Sequence, residues 1–577
     1  MKFISIRDIK LIENNKLFNT QKMKKIFQKL LFIAMIGLIV PSCGNPAKMA
    51  NEADQVQAKA EPQILEVVAN KINVKISATF PEKFFHPKGV VEVLPVLVYN
   101  GGEVAADAIM LQGENVTKNY ITIPETGGLF SRDLTFDYVK GMEKSHLELR
   151  MTVLYKDKKI PFAVPFKVAE GANITYKIVK NHGALAYAPD AYQAKIAEQN
   201  ETQILYLINS ATVRPSQLRT EDVKAFEEFL ATVKADQRRV VKNTEIVAYA
   251  SPDGKCDFNE KLSTRRAGSA SKAFDKKINR KAKIETKVME KSISEDWDGF
   301  KELVANSNIE DKDLILRVLD MYSDPVVRER EIKNMSSVYT TLTKDILPQL
   351  RRARFIANIE YTNFSDEELV ASVNDNIEIL DEEALLHAAT LIKDLNKKME
   401  VYKKGIEKFN SDRAKVNCAV ASLINTKEES LVSANAEKVL STVSNKDAYY
   451  YNTLGVIELR KGNNSQAAKL FAKSELAQSK ENIAVIDILN GKYEEANSLL
   501  ANVKNFNAAL SFILVNKLDE ACNIIKNKNC PCSSYLRAII AARKGKVEES
   551  KAALKIAKTD AKWAEYNKTD IEFAKVK

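Results

Sequence analysis

The sequence predicts a multidomain chain: an all-β sandwich first, an α+β domain with a helical insertion second, and an all-α array of helical repeats last. Three observations predict it. Short alternating apolar runs separated by turn signals fill residues 61–170, with no helix-length period among them. Between 201 and 362, strand-like runs alternate with amphipathic segments of helical period. Beyond 365 the apolar residues keep the helical period to the end, and a turn followed by a small residue recurs along them. A chain of 577 residues also exceeds what one core supports, so several domains are expected.

Composition narrows the class. Hydrophobic residues make up 45% and charged residues 28%, ordinary values for globular protein. The net charge of +11 is spread along the chain without the clustered basic stripe that nucleic-acid binding needs, so no nucleic acid is expected as a partner. Residues 1–43 read as a signal peptide with a lipobox. Met23-Lys24-Lys25, Met23 being the expected initiator, precede an apolar run from Leu30 to Val40 that ends in Pro41-Ser42-Cys43. That run is too short to span a bilayer and suits a signal-peptide core. Cys43 is the expected lipidation site, and a diacylated Cys43 would hold the chain stably at a membrane surface. Gly44-Asn45-Pro46-Ala47-Lys48 after it lack the acidic cluster linked to surface export in the Bacteroidetes lipoproteins that this segment resembles, and that resemblance implies a periplasm-facing position on the outer membrane.

Residues 44–60, rich in Ala, Lys, Glu and Gln, read as a tether. In the β-type region, 61–170, the strand candidates are Ile72–Ala78, Val90–Tyr99, Tyr120–Ile123, Leu147–Leu154 and Phe162–Val168. Asn100-Gly101-Gly102, Thr126-Gly127-Gly128 and Asp157-Lys158 mark turns between them. Short strands at this density suggest an immunoglobulin-like sandwich. Residues 171–200 read as a connector.

Within 201–362, Gln203–Asn209 is an apolar strand candidate. Val223, Phe226, Phe229, Leu230 and Val233 then repeat at helical spacing behind the N-cap candidate Thr220. A β-type run from Thr244 to Ala250 ends in Ser251-Pro252-Asp253-Gly254. Asn259, Leu262, Ser263, Arg266 and Ala267 follow as Asn-x-x-Leu-Ser-x-x-Arg-Ala. Asn259 reads as the cap of that helix, and a guanidinium at Arg266 beside a strand end can grip a carboxylate bidentately. An insertion occupies about 290–348, and Leu350-Arg351-Arg352-Ala353-Arg354-Phe355-Ile356 through Tyr361 reads as a closing strand.

The motif in this setting resembles the peptidoglycan-binding signature of OmpA-like domains, and the plan of sandwich followed by such a domain resembles OmpA-like lipoproteins of Bacteroidetes. The resemblance covers 201–362 and implies binding to the peptidoglycan stem peptide. Arg266 would contact its carboxylate, Asn259 would shape the helix start, and Ser251 or Asp253 would face the amine. Arg352 on the closing strand is a further site candidate. Ser251 stands where the family places an Asp, so only the cation of the family's pair is carried over, with Asp253 two positions on as a substitute.

In 365–577 the turn-and-small-residue pattern pairs Gly462 with Ala467, Gly491 with Ala496, Asn516 with Ala521 and Gly545 with Ser550. The unit Tyr451, Leu454, Gly455, Gly462, Ala467, Phe471 resembles the tetratricopeptide repeat, which implies stacked antiparallel helix pairs with a concave face for protein partners.

No catalytic constellation appears. His86, His146, His182 and His387 fall in four separate segments without paired ligand spacing, and there is no nucleophile elbow, P-loop or dinucleotide fingerprint. Cys256, Cys418, Cys522, Cys530 and Cys532 are too unevenly placed for a disulfide framework, although a bridge from Cys522 to one of the Cys530-Pro-Cys532 pair stays open. No metal and no cofactor are expected. The expected function is a non-enzymatic lipoprotein that anchors the outer membrane to peptidoglycan and recruits proteins through its repeats. The alternative is a scaffold or assembly factor of a secretion or fimbrial machine whose OmpA-like domain no longer binds the wall.

Overall fold

The structure, a computed structural model, describes residues 47–280, 286–425 and 429–576. Cys43 and the leader expected over 1–43 lie outside the described residues. The chain divides into two compact units, 1–184 with 455–577, and 185–454. Among the described residues no helix is long and apolar enough to cross a membrane.

In the first unit, eleven strands form one curled sheet. They are β1 (Gln57–Glu61), β2 (Ile64–Val68), β3 (Lys71–Phe80), β4 (Val90–Tyr99), β5 (Gly102–Ala105), β6 (Ile109–Gln112), β7 (Ile121–Thr122), β8 (Gly128–Asp137), β9 (His146–Tyr155), β10 (Lys158–Pro161) and β11 (Phe166–Asn173). The main path runs β1-β3-β2-β11-β9-β4-β6-β7, with β8 on β3, β10 on β9 and β5 on β4. Two separate sheets were expected; they are joined instead by β2, whose end pairs with β3 while its start runs parallel to β11. Ile72, Val74 and Ile76 on β3 and Leu147, Leu149, Met151 and Val153 on β9 point inward, as their alternation requires. The expected tether is partly structured. Ala47–Asn51 is helical with Met49 and Ala50 buried, and β1 pairs with β3 through Ala58 and Ala60.

The same unit holds the helices from residue 455 onward: the end of Ala448–Arg460, then Asn464–Phe471, Ala477–Leu489, Tyr493–Leu500, Phe506–Leu514, Leu518–Ile525, Pro531–Arg543, Val547–Ala557 and Ala561–Thr569. The first helix of each pair ends on a left-handed residue, Gly462 (φ +82°), Gly491 (+78°), Asn516 (+58°) or Gly545 (+72°), the backbone that Gly and Asn adopt at least cost. Ala467, Ala496, Ala521 and Ser550 are fully buried where the pairs cross. A Cβ on Gly455 would stand 2.5 Å from the Phe471 ring, so only glycine lets these helices meet.

The last turn, Ile571–Phe573, docks on β11: a Cβ on Gly171 would lie 2.7 Å from Ile571 Cδ1. Beside it the buried Glu572 carboxylate accepts from Asn173 Nδ2 (2.9 Å), Thr175 Oγ1 (2.8 Å) and the Arg543 guanidinium (3.0 Å from Nε). Sheet and final helices thus share one buried ionic cluster.

The second unit is built on a four-stranded sheet of β12 (Lys195–Leu205), β13 (Arg239–Tyr249), β14 (Lys287–Ile293) and β15 (Arg352–Thr362), in the order β12-β15-β13-β14. β13 and β14 are parallel and the other neighbours antiparallel. Helices Glu221–Ala235 and Cys256–Ala273 bury Val223, Phe226, Leu230, Ala267 and Ala270 against Ile204, Ile246, Ala353 and Phe355 of the sheet. Thr220 caps the first helix by accepting from Val223 N–H, as expected. Between β14 and β15 the insertion folds as helices Trp297–Ala305, Lys312–Met321, Pro325–Asn334, Ser336–Asp345 and Leu347–Leu350 around its own core of Phe300, Val304, Ile315, Leu319, Ile332, Leu342 and Ile346. Helices Asp366–Asp375, Glu382–Leu391, Leu395–Phe409, Asp412–Asn425 and Glu429–Leu440 and the start of Ala448–Arg460 complete the unit.

Candidate functional site

The turn after β13 and the helix that follows bring most of the predicted site residues together, in roles that differ from those expected. The helix starts at Cys256, with Lys255 as N-cap, because Pro252 to Gly254 complete the turn earlier than the motif suggested. Asn259 is therefore not a cap. Its side chain points back into the turn, and Nδ2 donates to the carbonyls of Ser251 and Gly254, each at 3.0 Å. Gly254 sits against that amide, with 2.9 Å between its would-be Cβ and Asn259 Oδ1.

Arg266 does not reach solvent. It is 1% exposed, and each guanidinium nitrogen donates to a main-chain carbonyl: Nε to Ser210 (2.9 Å), Nη1 to Tyr249 (2.8 Å) and Nη2 to Leu207 (3.2 Å). The Tyr206 ring lies 5.1 Å away, and its hydroxyl donates to the Arg266 carbonyl at 3.0 Å. Burial pushes the guanidinium down to about 10, with the like charge of Arg351 adding to the effect. The expected ligand-gripping cation is thus a brace that ties the segment after β12 and the end of β13 to the helix.

The cation that meets Asp253 and Ser251 is Arg351, the neighbour of the expected Arg352. Arg351 Nε stands 3.4 Å from Ser251 Oγ and Nη2 stands 3.4 Å from Asp253 Oδ2, while Ser251 Oγ donates to Asp253 Oδ1. Arg352, the predicted one, takes a different partner. It pairs with Asp296 at 2.9 Å, the cap of the first insertion helix, whose side chain is only 4% exposed. Burial raises the Asp296 carboxyl despite that partner. Arg352 therefore fastens the insertion to β15.

The insertion also covers the turn. Pro252 and Asp253 face Trp297, Phe300, Glu329, Ile332, Tyr339, Leu342 and Leu347 across a cavity of about 20 Å³, room for about one water.

The connector carries a second set of polar contacts. In the first unit, Asn507 accepts from Lys180 N–H and donates to Lys180 O, both at 2.8 Å. Asn482 does the same with Ala184, at 2.6 and 2.9 Å. In the second unit Asn417 holds Ala188 in this way, at 2.7 and 2.9 Å. A carboxamide that both donates and accepts matches the N–H and C=O of one residue in an extended chain, so these repeat helices read backbone. Asn482→Ala should weaken the clamp by about 2 kcal/mol, near 1 kcal/mol for each lost bond. Hydrogen exchange at Ala184 is then expected to rise roughly thirtyfold. An unchanged Ala184 amide would show that the clamp carries no stability.

No family model and no curated protein matches the chain. Among solved structures, the chain is similar to a tetratricopeptide repeat protein from Parabacteroides merdae ATCC 43184, at 15% identity and a TM-score of 0.27, over 36% of this chain and 91% of that one.

Proposed function

We propose that the chain is a non-enzymatic scaffold of the cell envelope. In this reading it is an outer-membrane lipoprotein attached through Cys43 and facing the periplasm, with an immunoglobulin-like region, an OmpA-like domain and tetratricopeptide-like repeats. Its wall-binding turn is closed, so it serves as an assembly or scaffold factor. One observation carries this reading: Arg266 spends a bond from each guanidinium nitrogen on main-chain carbonyls. The covering of Asp253 by the insertion agrees with it. Protein partners are then the ligands of the repeats, on surfaces other than the asparagines that already hold the connector.

A second reading, the peptidoglycan anchor, is favoured by the facing pair Asp253 and Arg351. A zwitterionic amino-acid head wants an anion and a cation side by side, and these two supply them. Wall binding would then require the insertion to lift. Co-sedimentation with purified sacculi separates the two readings: the scaffold stays in the supernatant, whereas the anchor pellets and loses binding in Asp253→Asn and Arg351→Ala.

A further inference from the structure

Cys530 and Cys532 flank Pro531 at the start of helix Pro531–Arg543, and none of the functions above uses them. Cys530 is the N-cap, exposed, and its sulfur accepts from Ser533 N–H at 3.4 Å and lies 3.2 Å from Ser533 Oγ. Cys532, the second helical residue, brings its Sγ to 2.8 Å from Cys530 Sγ. Lys180 Nζ stands 3.5 Å from Cys532 Sγ on the side of the connector. The bridge from Cys522 left open by the sequence is not formed, for all five described cysteines are free.

Each part of this arrangement favours thiolate chemistry. The free N–H groups of a helix start stabilise a negative sulfur, and an ammonium close by does the same. Burial raises the Cys530 thiol, but the hydrogen bonds from Cys532 and Ser533 outweigh it and bring the group down to about 7. A second sulfur within reach supplies what a lone reactive cysteine lacks, a resolving thiol.

We propose that Cys530 and Cys532 form a reversible dithiol–disulfide couple that exchanges two electrons with an organic disulfide. The Cys530 thiolate attacks one sulfur of that disulfide, forming a mixed disulfide and expelling the first thiolate. Cys532 then attacks Cys530 Sγ, the mixed bond breaks, and the second thiolate leaves. The two protons given up by Cys530 and Cys532 end on the two released thiols. The organic disulfide is reduced by two electrons and the pair is oxidised by two. An exposed disulfide of this kind is the labile sort, open to the reverse reaction with excess thiol.

The test uses reduced full-length protein, oxidised glutathione as the disulfide, and peptide mapping of the products, with exposed Cys256 as the standard for mere exposure. Wild type is expected to lose both thiols of the pair at least tenfold faster than Cys256 is modified. It should retain no glutathione there and recover both thiols in excess reduced glutathione. Cys532→Ser is expected to stop at a glutathione adduct on Cys530. A wild-type pair that keeps glutathione, or that reacts no faster than Cys256, would overturn the proposal. Because the serine variant reports the intermediate while wild type reports closure, a folding defect in the variant leaves the wild-type result decisive.

Discussion

Arg266→Ala is expected to destabilise the second unit by about 3–5 kcal/mol, the sum of three lost guanidinium hydrogen bonds and a cavity of arginine size. The Ser210 and Tyr249 carbonyls each lose a guanidinium donor, the Leu207 carbonyl keeps the Ser210 N–H at 3.1 Å, and the buried ring of Tyr206 loses the cation above it. Arg266→Lys should recover only part of the loss, since one ammonium cannot span three carbonyls as a planar fork does. A residue that serves only to grip a ligand behaves differently, with substitution costs usually within about 0.5 kcal/mol at the surface. Urea unfolding followed by circular dichroism distinguishes the two. A shift near zero in Arg266→Ala would return this residue to a ligand-binding role.

The first unit has a comparable weak point at its C-terminus. Glu572→Ala removes the carboxylate paired with Arg543 and leaves that buried guanidinium donating to the Ile513 carbonyl. Breaking a buried pair from one side costs about 3–5 kcal/mol. Asn173 and Thr175 lose their acceptor as well, so the sheet and the last helices should separate in one step. The pH dependence has a definite sign. Burial raises the Glu572 carboxyl, but the bonds from Arg543, Thr175 and Asn173 outweigh it and leave the group below its ordinary 4.5. The stability it contributes is therefore present above about pH 4.5 and lost as pH falls through the lower, folded value. Wild type should show this acid loss and Glu572→Ala should lack that component. Thermal melts of both from pH 7 to pH 3 would show it, and parallel pH curves would contradict the role given to Glu572.

What the sequence made legible was local. The cap at Thr220, the long strands Val90–Tyr99 and Leu147–Leu154, and the small residues after each repeat turn all carry strong periodic or capping signals. β8 escaped because only Phe130 and Phe136 of its ten residues are buried, so its alternation is too thin to read. β1 is a polar edge strand and looked like tether for the same reason. The opposite error came at Leu207 and Ile208, an apolar run that is 56% and 60% exposed because β12 ends at Leu205.

The choice of Arg352 over Arg351 shows how little separates a site residue from a structural one. β15 begins at Arg352, whose neighbours Ala353 and Phe355 face the core, and a step of one residue reverses direction. Arg351 lies just before the strand and turns to the Ser251–Asp253 turn instead. The cover laid over that turn by the insertion, and the asparagines that hold the connector, depend on contacts across long stretches of chain. No local period announces them.

The most direct measurement is co-sedimentation of the chain beginning at Asn45 with purified sacculi, beside Asp253→Asn and Arg351→Ala variants. A closed turn predicts that wild type and both variants stay in the supernatant. Pelleting of wild type that is lost in either variant would contradict the scaffold reading and make the turn a wall-binding site.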